Sequence, residues 1–220
     1  LIIPSWKTKE EINKNNNLEN LSHIWKNKFF ISLVPLAFFN YGGVQAIQTL
    51  WAGPWMLNIT GYNPIQSATG LFWINITMLF SFLMWGYFLP KLSSRGIDSM
   101  KIVKLGLPIS YLVLFLIIIM GDKAGATMFT LYILSSIVIS LTQPAIALNF
   151  HTRLAGKSLT SFNVFIFSGT FFVQWIIGLI IDFSTNLGAN IILSYQISFS
   201  IFLFVCVLSY LFFIIVNRNE

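Results

Sequence analysis

The side chains best suited to chemistry in this chain carry no charge. Tyr41, Gln45 and Gln48 recur at i, i+4 and i+7, a spacing that places all three on one face of an α-helix. Phenol and amide groups donate and accept hydrogen bonds without charge, so this face suits contact with a polar or zwitterionic molecule. The alternative is that these groups bond only to neighbouring helices and hold them together.

The sequence around these residues is that of a membrane protein. Of the 220 residues, 56% are hydrophobic and 9% are charged, whereas a soluble domain has about 25% charged residues. Six apolar runs are long enough to cross a bilayer as helices, which takes roughly 20 residues each. The runs are 29–51, 67–89, 102–120, 124–148, 158–181 and 191–216. The sequence therefore predicts an all-α bundle of six transmembrane helices over 29–216, with a cytoplasmic linker at 1–28 and a cytoplasmic tail at 217–220.

Positive charges are distributed asymmetrically about these runs. Of the 13 lysines and arginines, all but Lys123 lie at the end where the first, third and fifth runs begin. Cytoplasmic loops carry the excess of lysine and arginine, so both termini are predicted to be cytoplasmic. We expect the membrane to be a bacterial inner (plasma) membrane. Topology accounts for the net charge of +6, so no nucleic-acid partner is predicted.

Uncharged polar side chains concentrate in four of the six runs. A buried amide is costly in hydrocarbon unless it faces a partner or water. We therefore expect the first, second, fourth and fifth runs to line a polar cavity, with the third and sixth against lipid. The candidate cavity residues are Asn40, Tyr41, Gln45, Gln48, Asn75, Gln143 and Gln174.

The sequence lacks the groups that most catalytic sites need at membrane depth. No Asp or Glu lies inside a run, so this chain supplies no proton relay of its own. His23 and His151 lie outside the runs, and Cys206 is the only cysteine. The sequence contains neither a zinc-protease motif nor a glycine-rich phosphate loop. We therefore expect no catalytic residue, no metal site, no cofactor and no enzyme activity.

Three stretches resemble the C-terminal six-helix half of a major facilitator superfamily transporter of bacterial type. Residues 48–55 close the first run, and residues 153–178 form the entry and body of the fifth. Residues 86–95 are similar to the cytoplasmic loop motif of the superfamily, in which Gly86, Lys91 and Arg95 match. Pro90 stands where the motif has an acidic residue.

This resemblance implies two six-helix bundles that rock about a central site, which is transport by alternating access. It implies a permease for a small-molecule solute, with the lipid bilayer and an N-terminal six-helix half as partners, and a cytoplasmic gate contact at Lys91 and Arg95. The chain begins with Leu1 rather than Met, so we expect a fragment or the second half of a longer protein. The alternative is a non-transporting six-span structural or assembly protein.

Overall fold

The six predicted helices are present. The computed structural model describes residues 22–217, and within that range six helices are long and apolar enough to span a membrane. We label them α1 to α6 in chain order: Lys28–Asn58, Pro64–Ser94, Ser99–Lys123, Ala126–Asn149, Thr152–Asn186 and Ile191–Val216. The described residues contain no strand, so the all-α six-helix membrane bundle is confirmed. The predicted linker at 1–28 falls mostly outside the described residues, as does the predicted tail beyond Asn217.

Most of the helices extend past the apolar runs because polar residues cap them outside the hydrocarbon. Asn63 caps α2 by accepting a hydrogen bond from the backbone N–H of Gln66, and the Gln66 side-chain oxygen accepts one from the Asn63 backbone N–H. Pro64 follows at the first helical position, where its missing N–H costs nothing. Short connections then make consecutive helices antiparallel. As a result α1, α3 and α5 begin at one end of the bundle, which we call the basic end.

The central helix, α1, is not a regular α-helix. Wide π-helical turns occur at Leu36–Tyr41 and at Ile47–Trp51, separated by the α-helical segment Gly42–Ala46. Pro35 immediately precedes the first wide turn and offers no N–H to the ladder, which favours a local change of helix type. In α4 the irregularity is opposite, because Ile137–Leu141 forms a tight 3₁₀ stretch.

α1 lies in the middle of the bundle. In its most apolar stretch 67% of residues are buried, against 11% in α2. α1 packs along α5 on one side and along α6 on another, whereas α2 packs chiefly on α4 and the last turns of α1. Two apolar cores result, one around Trp55 and Phe199 and the other, at the basic end, around Phe30 and Phe162.

Two glycines allow α1 and α5 to touch backbone to backbone. A Cβ added at Gly42 would lie 2.6 Å from the Thr170 backbone nitrogen. A Cβ added at Gly169 would collide with the backbone carbonyl of Phe38. Small residues at such crossings let membrane helices approach closely and gain van der Waals contact. This crossing fixes the neighbouring polar residues of the two helices relative to each other.

Candidate functional site

Two amide pairs join neighbouring helices at opposite ends of the bundle. Gln48 of α1 donates through Nε2 to Asn75 Oδ1 of α2 at 2.8 Å. Gln143 of α4 donates through Nε2 to Asn163 Oδ1 of α5, also at 2.8 Å. Helix α4 runs antiparallel to α1, and α5 runs antiparallel to α2. The first pair therefore joins the first two helices of α1–α3, and the second pair joins the first two helices of α4–α6.

Two further polar contacts join α1 to α5. The hydroxyl Oγ1 of Thr170 lies 3.0 Å from Oε1 of Gln45. One turn further along, Gln174 donates through Nε2 to Oγ1 of Thr49 at 3.0 Å. These four polar contacts connect the helices that the amide distribution had selected, and we call their residues the polar face. Its members are Gln45, Gln48, Thr49, Asn75, Gln143, Asn163, Thr170 and Gln174.

Each glutamine of the polar face uses only one end of its amide. Gln48, Gln143 and Gln174 donate through nitrogen and leave the side-chain oxygen without a partner among the described residues. Gln45 accepts through oxygen and leaves its nitrogen unpartnered there. None of these unused ends is among the buried unpartnered atoms of the described chain, which are Trp85 Nε1 and Ser136 Oγ. The face therefore offers accessible acceptors at the side-chain oxygens of Gln48, Gln143 and Gln174 and an accessible donor at the side-chain nitrogen of Gln45.

Tyr41 lies apart from Gln45 and Gln48. Its side chain is 5% exposed and belongs to the apolar core at the basic end. Its hydroxyl makes no hydrogen bond with any residue that the structure describes. Tyr41, Gln45 and Gln48 therefore have different surroundings on α1, and contact of all three with a solute stays a prediction. Gln45 meets α5 and Gln48 meets α2 instead.

Asn40 does not join the polar face, contrary to expectation. It is 3% exposed and donates through Nδ2 to Ser209 Oγ of α6 at 2.7 Å. Its Oδ1 accepts from the Tyr111 hydroxyl of α3, also at 2.7 Å. Asn40 thus ties α1 to α3 and α6, and those two helices are part of the core rather than only peripheral. We call Asn40, Tyr111 and Ser209 the interior hydrogen-bond cluster.

The predicted gate residues lie on a helix rather than a loop. Gly86 and Lys91 fall within α2, which continues to Ser94, and Arg95 is its C-terminal cap. The Lys91 ammonium sits 3.6 Å from the centre of the Tyr87 ring on the same helix. Neither Lys91 nor Arg95 has a carboxylate partner among the described residues. Both cations can therefore pair with an acidic group of another segment or another molecule.

Charge is absent from the polar face itself, which consists of amides and hydroxyls. Among residues 22–217 no three His, Cys, Asp or Glu side chains lie close enough to hold a metal ion. The face can therefore hydrogen-bond an uncharged polar group but offers no ion pair of its own.

Sequence reasoning missed Thr49, Asn163 and Thr170 as partners of the amides. A signal was present: Gln45 and Thr49 are four residues apart, as are Thr170 and Gln174, so each pair shares one helix face. Matching polar stripes on α1 and α5 predict contacts between these two helices.

No protein-family model matches this chain, and no curated protein matches it. Its function is therefore argued from the six-helix fold and the polar face.

Proposed function

We propose that this chain is the C-terminal six-helix half of a secondary active transporter of the major facilitator type, and that it carries a small polar solute by alternating access. One observation supports this most directly. The glutamines of the polar face are each held by one amide end and keep the other end open, as a solute-binding surface requires. Uncharged acceptors and a donor suit a neutral or zwitterionic solute better than a lone ion.

The inverted arrangement of the two amide pairs also supports a transporter. Transporter folds are commonly built from repeats in inverted orientation, with the site near the bilayer midplane where the repeats meet. In such a repeat, Gln48–Asn75 between the first and second helices would correspond to Gln143–Asn163 between the fourth and fifth. Gln45 lies between them, near the middle of α1.

The second bundle of the transporter would cover the face that α2 and α5 leave open. Large apolar side chains are exposed on both helices, among them Trp73 and Phe80 of α2 and Phe171 of α5. Lys91 and Arg95, which lack carboxylate partners in the described chain, would meet acidic groups or helix ends of that bundle. The excess of positive charge at the basic end favours a cytoplasmic location for that end, in a bacterial inner membrane.

A second candidate function also has an observation in its favour. Every amide of the polar face already bonds to another helix, as expected of a six-span structural or assembly protein whose amides only join helices. The two candidates differ in what the unused amide ends do.

Transport measurements on the full-length protein distinguish the two. After a solute panel identifies a substrate, the apparent affinity is measured for Gln45→Ala and for Ser200→Ala, a control on an exposed position of α6. Loss of one hydrogen bond in a desolvated site costs on the order of 1 kcal/mol, or about fivefold in affinity. We expect that loss for Gln45→Ala alone. Wild-type affinity in both variants, or no transport of any solute, would favour the structural candidate.

A further inference from the structure

A small polar pocket lies at the basic end, away from the polar face. It has a cavity volume of about 130 Å³ and lies between the starts of α1 and α3 and the end of α6. Phe29 and Phe213 form apolar walls, and Lys101 and Lys104 bring two cations. Phe213 is 1% exposed, so that wall is fixed by the core behind it.

Lys104 lines this pocket and is half-buried. Its ammonium lies 5.6 Å from the centre of the Phe213 ring, and its backbone carbonyl accepts a hydrogen bond from the Tyr210 hydroxyl at 2.6 Å. No carboxylate lies within ion-pair distance of Lys104 among the residues that the structure describes. A half-buried cation of this kind favours binding of an anion.

The charge of the pocket limits which anion fits. Asp98 also lines it, so the two lysines and this carboxylate together carry a net charge of +1. A phosphodiester carries a single negative charge, which balances that sum. Asn217, whose side chain also lines the pocket, donates through Nδ2 to the Phe213 carbonyl at 2.8 Å and closes the α6 side.

We propose that this pocket binds the phosphodiester headgroup of an anionic membrane phospholipid. Its place at the ends of three spanning helices is the level at which lipid headgroups lie. Basic pockets between transmembrane helices are suited to phospholipid headgroups. The apolar walls would contact the glycerol and upper acyl chain, which a free phosphate ion lacks. The assignment does not depend on the transport proposal, because none of the lining residues belongs to the polar face.

The test is lipid binding to the purified full-length protein in detergent. Phosphatidylglycerol, phosphatidylcholine and inorganic phosphate are titrated separately, and the rise in melting temperature gives an apparent affinity for each. One lysine near a membrane surface contributes about fivefold in affinity for an anionic lipid. We expect Lys104→Gln to lower the affinity for phosphatidylglycerol by about that factor. Lys123→Gln removes a charge at the opposite end and should leave the affinity unchanged.

Three results would overturn the proposal. The first is equal affinity of the wild-type protein for phosphatidylglycerol and phosphatidylcholine, which would remove the role of lipid charge. The second is an equal response to inorganic phosphate, which would replace the lipid by a free ion. The third is an unchanged affinity in Lys104→Gln. Lys104→Arg keeps the charge and should keep binding, and loss of binding in Lys104→Arg with an unchanged melting temperature in the absence of lipid would also contradict the proposal.

Discussion

The crossing of α1 and α5 gives a sharp prediction for stability. In Gly169→Ala the new methyl carbon would lie 2.7 Å from the backbone carbonyl carbon of Phe38 and still closer to its oxygen. Comfortable carbon–carbon contact is roughly 3.5–4.0 Å, so the two helices must separate locally by at least about 0.8 Å. The contacted atoms belong to the Phe38 backbone, so no change of side-chain rotamer can relieve the overlap. Overpacking of this kind costs about 1–3 kcal/mol.

The lone buried cysteine supplies the assay. Cys206 is the only cysteine in the chain, so a thiol-reactive dye reports its exposure as the protein unfolds on heating. For a protein of this size 1 kcal/mol shifts the melting temperature by about 2–4 °C. We therefore expect Gly169→Ala to melt roughly 2–12 °C below its control, Gly156→Ala.

Gly156→Ala is a matched control because it lies on the same helix. A Cβ at Gly156 meets nothing within 4 Å. Both substitutions gain the same helix propensity, about 0.8–1.0 kcal/mol, so their difference isolates the packing penalty. Equal melting temperatures for the two variants would refute the close crossing of α1 and α5.

Two other regions carry predictions of their own. Asn40→Leu removes the bonds to Tyr111 and Ser209, and at about 0.6 kcal/mol for each bond in a membrane we expect melting a few degrees lower in the same dye assay. An unchanged melting temperature would show that the interior hydrogen-bond cluster contributes nothing to stability. Replacing both Lys91 and Arg95 by Gln should lower the transport rate several-fold while leaving the melting temperature unchanged, since both side chains are exposed. Wild-type transport in that double variant would exclude a gate role.

The number and order of the helices could be predicted from the sequence because apolar length alone decides them. The helix ends could not, since capping side chains and polar last turns extend a helix beyond the hydrocarbon. At α2 this difference moved Lys91 from a predicted loop onto the helix. At α5 the helix begins at Thr152, before the predicted start of the apolar run.

The polar face was predictable in outline and not in detail. Counting amides selected α1, α2, α4 and α5, the helices that the polar contacts join. The partners of Tyr41, Gln45 and Gln48 could not be predicted, because a regular period of 3.6 residues was assumed along α1. Two wide turns break that period, and the sequence offers only Pro35 as a sign of the first.

The central claim is that the polar face lines a water-filled path for a solute, and cysteine accessibility tests it most directly. In a full-length background from which every cysteine has been removed, Cys206 by Cys206→Ser, single cysteines replace Gln45, Gln174 and, as the control, Ser200 on the exposed side of α6. The full-length protein in sealed vesicles is then treated with a membrane-impermeant thiol reagent. We expect modification at positions 45 and 174, which polar side chains of the face occupy, and none at position 200, which we expect to face lipid. Cysteines at 45 and 174 that react no faster than the one at 200 would contradict the account.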